Sequence, residues 1–285
     1  MKKTLLSIIQ ISLSVLFIYL TFSKININSL TLVLKESDLM LFSLSPILYF
    51  ISQIISSERL RNLMSVNGYK LSFKENGKLY LIGMFYNFFV PGGIGGDLYK
   101  TYLMKKFYSW KVKNTIKLII QDRLIGLGVL FMLIIFLENG LLFDLNYSIK
   151  FLSIFIIYLI GLNLVKLIFR DNKGYSKTFI LSIIVHLFQF LSIISIIFAL
   201  GINTFFLEIL SVFIISSVLS VFSFGGIGIR EYVFFSAAST LSLSSELSTS
   251  IGLLFTISAA VSSLPGLYYS IKKPELNRVS VKSTK

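Results

Sequence analysis

An all-α membrane bundle is the fold this sequence predicts, and three observations carry the prediction. Hydrophobic residues make up 55% of the 285-residue chain, its mean hydropathy is +0.82, and only 14% of residues are charged, too few to keep a soluble domain dissolved. The apolar residues come in runs close to the ~20 that a helix needs to cross a hydrocarbon core of about 30 Å. The charges cluster between those runs, where membrane proteins keep them. No stretch remains for a soluble domain of ordinary size. Residues 1–271 therefore read as one integral membrane domain, and 272–285 as a short basic tail.

The first run, Leu5 to Phe22, follows Lys2 and Lys3 and has the look of a signal peptide. It is longer than a usual signal core, and no small-x-small pattern follows in residues 23–28, so we read it as an uncleaved span. The expected spans are 4–22, 38–57, 118–137, 150–169, 178–200, 206–222, 229–245 and 248–271, about eight in all. The segment from Leu79 to Gly96 is also apolar. Arg59, Arg61, Lys70, Lys74 and Lys78 precede it, and Lys100, Lys105, Lys106, Lys111, Lys113 and Lys117 follow it. If it crossed, one basic cluster would lie outside the cell, against the positive-inside bias. A re-entrant hairpin keeps both clusters cytoplasmic. The group Arg170–Lys177 and the basic tail then face the cytoplasm as well, while Glu36, Asp38, Glu138, Asp144, Glu208 and Glu246 fall on the other side. The expectation is a multi-pass protein of the cell (inner or plasma) membrane with both termini cytoplasmic.

The net charge of +14 would suggest nucleic acid in a soluble protein. Beside apolar segments, it points instead to anionic lipid headgroups, and no nucleic-acid partner is expected. Cysteine is absent and His186 is the one histidine, which leaves disulfide and thiolate chemistry out and gives no usual metal site. No cofactor is expected.

Two stretches cannot be ordinary membrane helix. One runs Asn87-Phe-Phe-Val-Pro91-Gly92-Gly93-Ile-Gly95-Gly96-Asp97, the other Ser223-Phe-Gly225-Gly226-Ile-Gly228-Ile-Arg230-Glu231. Both contain Gly-Gly-Ile-Gly and both end in charge. Four glycines and a proline in six residues break a helix. Irregular backbone at depth is tolerated only around protein or a watery cavity, and intramembrane charge follows the same rule. Breaks of this kind in both halves of a chain suggest an internal repeat and point to a transporter's midplane site. The plainer reading, close packing through small residues, is weaker for two matching breaks than for one. Gln121-Asp122-Arg123 reads equally as an interfacial ion pair with Arg123 snorkelling and as part of a site. Glu58-Arg59 is a weaker signal, and His186 reads as a hydrogen-bonded bundle histidine before a proton relay.

On these residues the chain resembles the lysylphosphatidylglycerol synthase transmembrane-region family, or flippase-like domain proteins, over nearly its whole length. The family's Asn, Pro-Gly and Gly-Gly-Asp pattern with a nearby basic residue matches Asn87, Pro91, Gly92, Gly95, Gly96, Asp97 and Lys100. Its acidic-Arg-x-x-Gly element matches Asp122, Arg123 and Gly126, and its Gly-Gly-x-Gly-x-Arg-Glu element matches Gly225, Gly226, Gly228, Arg230 and Glu231. Lys100 stands where Arg is commoner, Asp122 where Glu is commoner, and Ser223-Phe224 where proline is frequent. The resemblance implies a unit that moves an aminoacylated phospholipid between leaflets, here in a standalone form without the soluble synthase domain.

The leading expectation is thus a lipid transporter or flippase-like protein that binds an anionic or aminoacylated phospholipid, or a lipid-linked glycan, near the bilayer midplane. Backbone N–H groups of Gly92, Gly93, Gly95 and Gly96, and of 225–228, would hold a phosphate. Arg230 and Arg123 would add charge-assisted bonds. Asp97 and Glu231 would face a headgroup amine or sugar hydroxyls, or would balance the arginines in the empty state. The competing expectations are a membrane enzyme with Asp97 or Glu231 as general base, and an accessory subunit for lipid or glycan modification. No catalytic nucleophile or nucleotide-binding loop appears, so a transporter is favoured over an enzyme. A separate lipid-modifying enzyme or glycosyltransferase is the partner expected besides membrane lipids. Cargo and oligomeric state are not legible.

Overall fold

The computed structural model describes residues 2–89, 95–137, 146–223 and 225–272, with side chains from residue 11 onward, and no strand occurs among them. The helices are α1 (Lys2–Phe22), α2 (Ile27–Glu36), α3 (Leu39–Val66), α4 (Phe73–Phe89), α5 (Gly95–Tyr108) and α6 (Val112–Leu137). After them come α7 (Tyr147–Phe169), α8 (Tyr175–Ala199), α9 (Phe206–Leu219), α10 (Ile229–Ala237), α11 (Ser245–Ser263) and α12 (Pro265–Ile271). A 3-10 turn, Ser220–Phe222, follows α9. Helices α3, α6, α7 and α8, and the run Ser245–Ile271, are long and apolar enough to cross a membrane, while α1 turns through 90° into α2. This is a polytopic helical membrane bundle.

Two expected spans are corrected. Helix α9 has 14 residues and α10 has nine, which at ~1.5 Å per residue reach roughly 21 and 14 Å, short of the ~30 Å core. They pack on each other as arms of a second short hairpin. Gly225, Gly226 and Gly228 turn the chain between them with φ of +60°, +85° and +83°, a region that side chains other than glycine rarely adopt. Hydropathy registers the apolar side chains of 206–245 but not this reversal.

The order of a long helix, a short hairpin and a long helix thus occurs twice, as α3, α4–α5, α6 and as α8, α9–α10, α11. Helices α3 and α8 form the largest contact and run antiparallel. The Asp38 N–H donates to the Ala199 carbonyl, Ser195 to the Leu41 carbonyl, Ser192 pairs with Ser45, and Arg59 donates to Ser182. Because α4–α5 follows the C-terminal end of α3 and α9–α10 that of α8, the two hairpins start from opposite ends of the bundle.

Serine makes this seam. Pro46 removes one donor from the ladder inside α3. Around it, Ser192 donates to the Ser45 carbonyl and Ser262 of α11 to the Pro46 carbonyl, at 3.0 and 2.9 Å. The Ser45 hydroxyl lies 2.8 Å from that of Ser192 and 2.9 Å from that of Ser258. Small side chains let three backbones approach, and their hydroxyls bond across the seam. Helix α3 opens on an N-cap, where Asp38 accepts the Met40 and Leu41 N–H groups. Helix α7, in contrast, turns Phe151, Leu152 and Phe155 outward, as suits a lipid-facing helix.

Candidate functional site

Where the hairpins meet, the bundle encloses a cavity of about 580 Å³. Its walls come from the middle of α3 and the N-terminal half of α6, from both arms of the first hairpin, and from the Gly225–Arg230 turn of the second. The Gly225 turn comes close to the end of α4, since a Cβ on Gly225 would lie 3.0 Å from the Phe88 carbonyl oxygen.

The first hairpin is closed by glycine and asparagine. Asn87 Oδ1 accepts the Gly96 N–H at 2.9 Å. A Cβ on Gly96 would fall 2.0 Å from the Gly83 carbonyl oxygen, so only glycine lets α4 and α5 approach this closely. That approach brings Asp97, in the first turn of α5, to the cavity wall. Its carboxylate pairs with Lys100 Nζ one turn on, at 2.7 Å, and with Arg123 of α6. Lys100 lies over the Tyr80 ring, 4.9 Å from its centroid, and its methylenes fill the space left by Gly83.

A second ion pair stands beside the first. Arg59 Nε and Nη2 donate to the two Asp122 oxygens, each at 2.8 Å, and Nη1 donates to Ser182 Oγ at 2.9 Å. Both side chains are only 8% exposed. Gly126 leaves room for this fork, as its Cβ would sit 3.0 Å from Arg59 Nη1.

The second hairpin presents Arg230 differently. Its Nη1 reaches the Gly225 carbonyl at a long 3.4 Å, its Nε has no hydrogen-bond partner, and its guanidinium lies 5.2 Å from the Phe255 ring centroid. Among the described residues no carboxylate forms an ion pair with it. Gly226 makes room for the guanidinium, since a Cβ there would lie 2.5 Å from Nη1. The neighbouring Glu231 turns away, and its Oε2 accepts the Gly228 N–H at 2.7 Å at the start of α10.

The residues singled out in the sequence therefore divide. Asn87, Asp97, Lys100, Asp122, Arg123, Gly225, Gly226 and Arg230 line the cavity. Gly95, Gly96, Gly228 and Glu231 shape the turns behind it, and Pro91, Gly92 and Gly93 lie outside the described residues. The expectation that Asp97 and Glu231 balance the arginines holds for Asp97 with Arg123 and is corrected for Arg230, with which no described carboxylate forms an ion pair. Asp97 is held by Lys100 and Arg123, and Glu231 caps its own helix, because its side chain follows the N–H groups at the α10 start. Sequence reasoning missed Arg59, Tyr49, Gln53 and Tyr80 as wall residues. The one signal was the Glu58-Arg59 pair at the end of the second expected span, and Glu58 misled, because it pairs with Arg61 instead. His186 does bond Gln189, at 3.0 Å, as a bundle histidine should. No three His, Asp or Glu side chains converge among the described residues.

A family model described as the lysylphosphatidylglycerol synthase TM region matches residues 7–169, and the chain belongs to that family. The match takes in α1 to α7, with the first hairpin and both ion pairs' α6 residues, and stops before the second hairpin. No curated protein and no solved structure gives a match.

Proposed function

We propose that this member of the lysylphosphatidylglycerol synthase transmembrane family binds the phosphate-bearing headgroup of a membrane lipid in the cavity and carries it between leaflets. The observation that carries the reading is Arg230, a guanidinium in an apolar bundle with no carboxylate partner among the described residues, facing a cavity between hairpins that start from opposite ends. A charge at depth is costly, and residues kept there mark a pathway or a site. A headgroup leaving water needs replacement partners for its oxygens. Arg230 and Arg123 supply fork-shaped donors suited to phosphate. Val221 and Phe222, 61% and 59% exposed, stand at the cavity's side and give acyl chains an apolar way out to the bilayer.

The basic loops 67–78 and 105–117 and the tail favour a plasma-membrane protein with those segments and both termini cytoplasmic. The first hairpin then enters from the cytoplasmic side and the second from the outer side. A separate enzyme that makes or consumes the lipid fits as a partner. Leaflet exchange of labelled phospholipids and lipid-linked sugars in proteoliposomes tests the proposal. Wild type should exchange at least one lipid, while Arg230→Lys should lose exchange and keep its melting curve; Asp97→Asn should lose exchange too, and should also melt lower because it leaves the buried Lys100 without its carboxylate. Arg230→Lys keeps the charge but loses the planar fork. Normal exchange by both variants, or none by wild type with any lipid, would overturn it.

A further inference from the structure

The charge of the cavity is one-sided. Four cationic side chains, Arg59, Lys100, Arg123 and Arg230, face two carboxylates, Asp97 and Asp122. Both carboxylates are already engaged. Asp122 gives its two oxygens to Arg59, and Asp97 gives its own to Lys100 and Arg123. Glu231 is not on the wall: its Oε2 accepts the Gly228 N–H, and its Oε1, which has no hydrogen-bond partner, is buried outside the cavity lining. An ammonium brought into this space would meet excess positive charge and, among the described residues of the wall, no carboxylate free of an ion pair. An anionic phosphate would meet Arg230, and elsewhere on the same wall Arg123, which pairs with Asp97 but whose side chain is 48% exposed. Arg59, Lys100, Asp97 and Asp122 are themselves buried, so the excess charge is held by side chains that water does not surround.

We infer that the site selects a lipid whose headgroup carries phosphate but no amine, over zwitterionic and aminoacylated lipids. The inference rests on the lipid-binding reading above and narrows its cargo. Two features separate it from a general affinity for anions. The cations lie within the bundle instead of on a loop, and the apolar side opening past Phe222 suits a ligand with chains.

Binding to the purified full chain in detergent tests this, with dihexanoyl phosphatidic acid, phosphatidylglycerol, phosphatidylcholine and lysyl-phosphatidylglycerol as probes, and glycerol 3-phosphate as the chain-free form. Phosphatidic acid and phosphatidylglycerol should bind about tenfold or more tighter than the two lipids with a cationic nitrogen, and Arg230→Gln should remove about that factor for the former alone. If Arg230→Gln does not fold, Arg123→Gln should show a loss in the same direction. Lysyl-phosphatidylglycerol binding as tightly as phosphatidylglycerol, or losing affinity in Glu231→Gln, would overturn the inference and leave lipid transport standing. Glycerol 3-phosphate matching phosphatidic acid would assign the site to a soluble phosphate and overturn its lipid half. Binding of none of the five would overturn this inference and the proposed function together.

Discussion

Replacing Asp122 by alanine would strand a guanidinium inside the bundle, and the cost can be worked from its contacts. Arg59 makes two 2.8 Å charge-assisted bonds to Asp122 and one 2.9 Å bond to Ser182, with both charged side chains 8% exposed. Breaking a buried pair on one side costs about 3–5 kcal/mol, because the surviving charge stays desolvated. Removing both charges is different. Arg59→Met with Asp122→Leu exchanges the pair for apolar volume, and such exchanges are often neutral or stabilising. The Ser182 hydroxyl would keep its own bond to the Thr178 carbonyl. Each single variant, Asp122→Ala or Arg59→Met, should therefore lose about 3–5 kcal/mol, with the double variant within about 1 kcal/mol of wild type. Reversible unfolding in mixed micelles of detergent and dodecyl sulfate reads these differences. A double variant that loses the sum of the two singles would refute the reasoning, since the residues would then act independently.

Three further outcomes are expected. Single cysteines at Lys74 and Lys106, placed in this cysteine-free chain, should both react with an impermeant thiol reagent from the same side, because α4 and α5 form a hairpin; labelling from opposite sides would mean that the segment crosses. Gly96→Ala forces a Cβ to 2.0 Å from the Gly83 carbonyl, so it should destabilise by about 1–3 kcal/mol or more in a melting series, whereas Gly77→Ala, with open space around it, should change little or gain. Glu231→Gln keeps an acceptor for the Gly228 N–H and should melt near wild type, while Glu231→Ala should lose about 1 kcal/mol as a lost cap; equal losses in both would mean that the charge matters and not the cap.

The long spans were legible in the sequence because hydropathy and the alternation of basic loops report them directly. The first hairpin was legible too, because two basic clusters flank one short apolar segment and the positive-inside bias disfavours placing them on opposite sides. The second hairpin was not. Its flanks carry Glu208 and Glu246 with little basic charge, so the same argument had nothing to act on, and 206–245 passed as two spans. Within the site, the glycines and Asp97, Arg123 and Arg230 stood out because their types are costly in a membrane. Their partners did not, since pairing is a long-range property. Arg59 and Asp122 are 63 positions apart, and Arg123 reaches Asp97 from a different helix. Gly266 shows the same limit, because its close approach to the Leu81 carbonyl, where a Cβ would come within 2.0 Å, has no local signature.

The central claim is that a lipid headgroup occupies the space between the two hairpin tips, held by Arg230. A structure of the full chain in detergent-free lipid particles, prepared with an anionic phospholipid, tests this most directly. The account predicts headgroup density within hydrogen-bond distance of the Arg230 guanidinium and acyl density leaving past Val221 and Phe222, with the headgroup density lost in Arg230→Gln. A cavity that holds only water, with ordered lipid confined to the outer faces of α7 and α8, would contradict it.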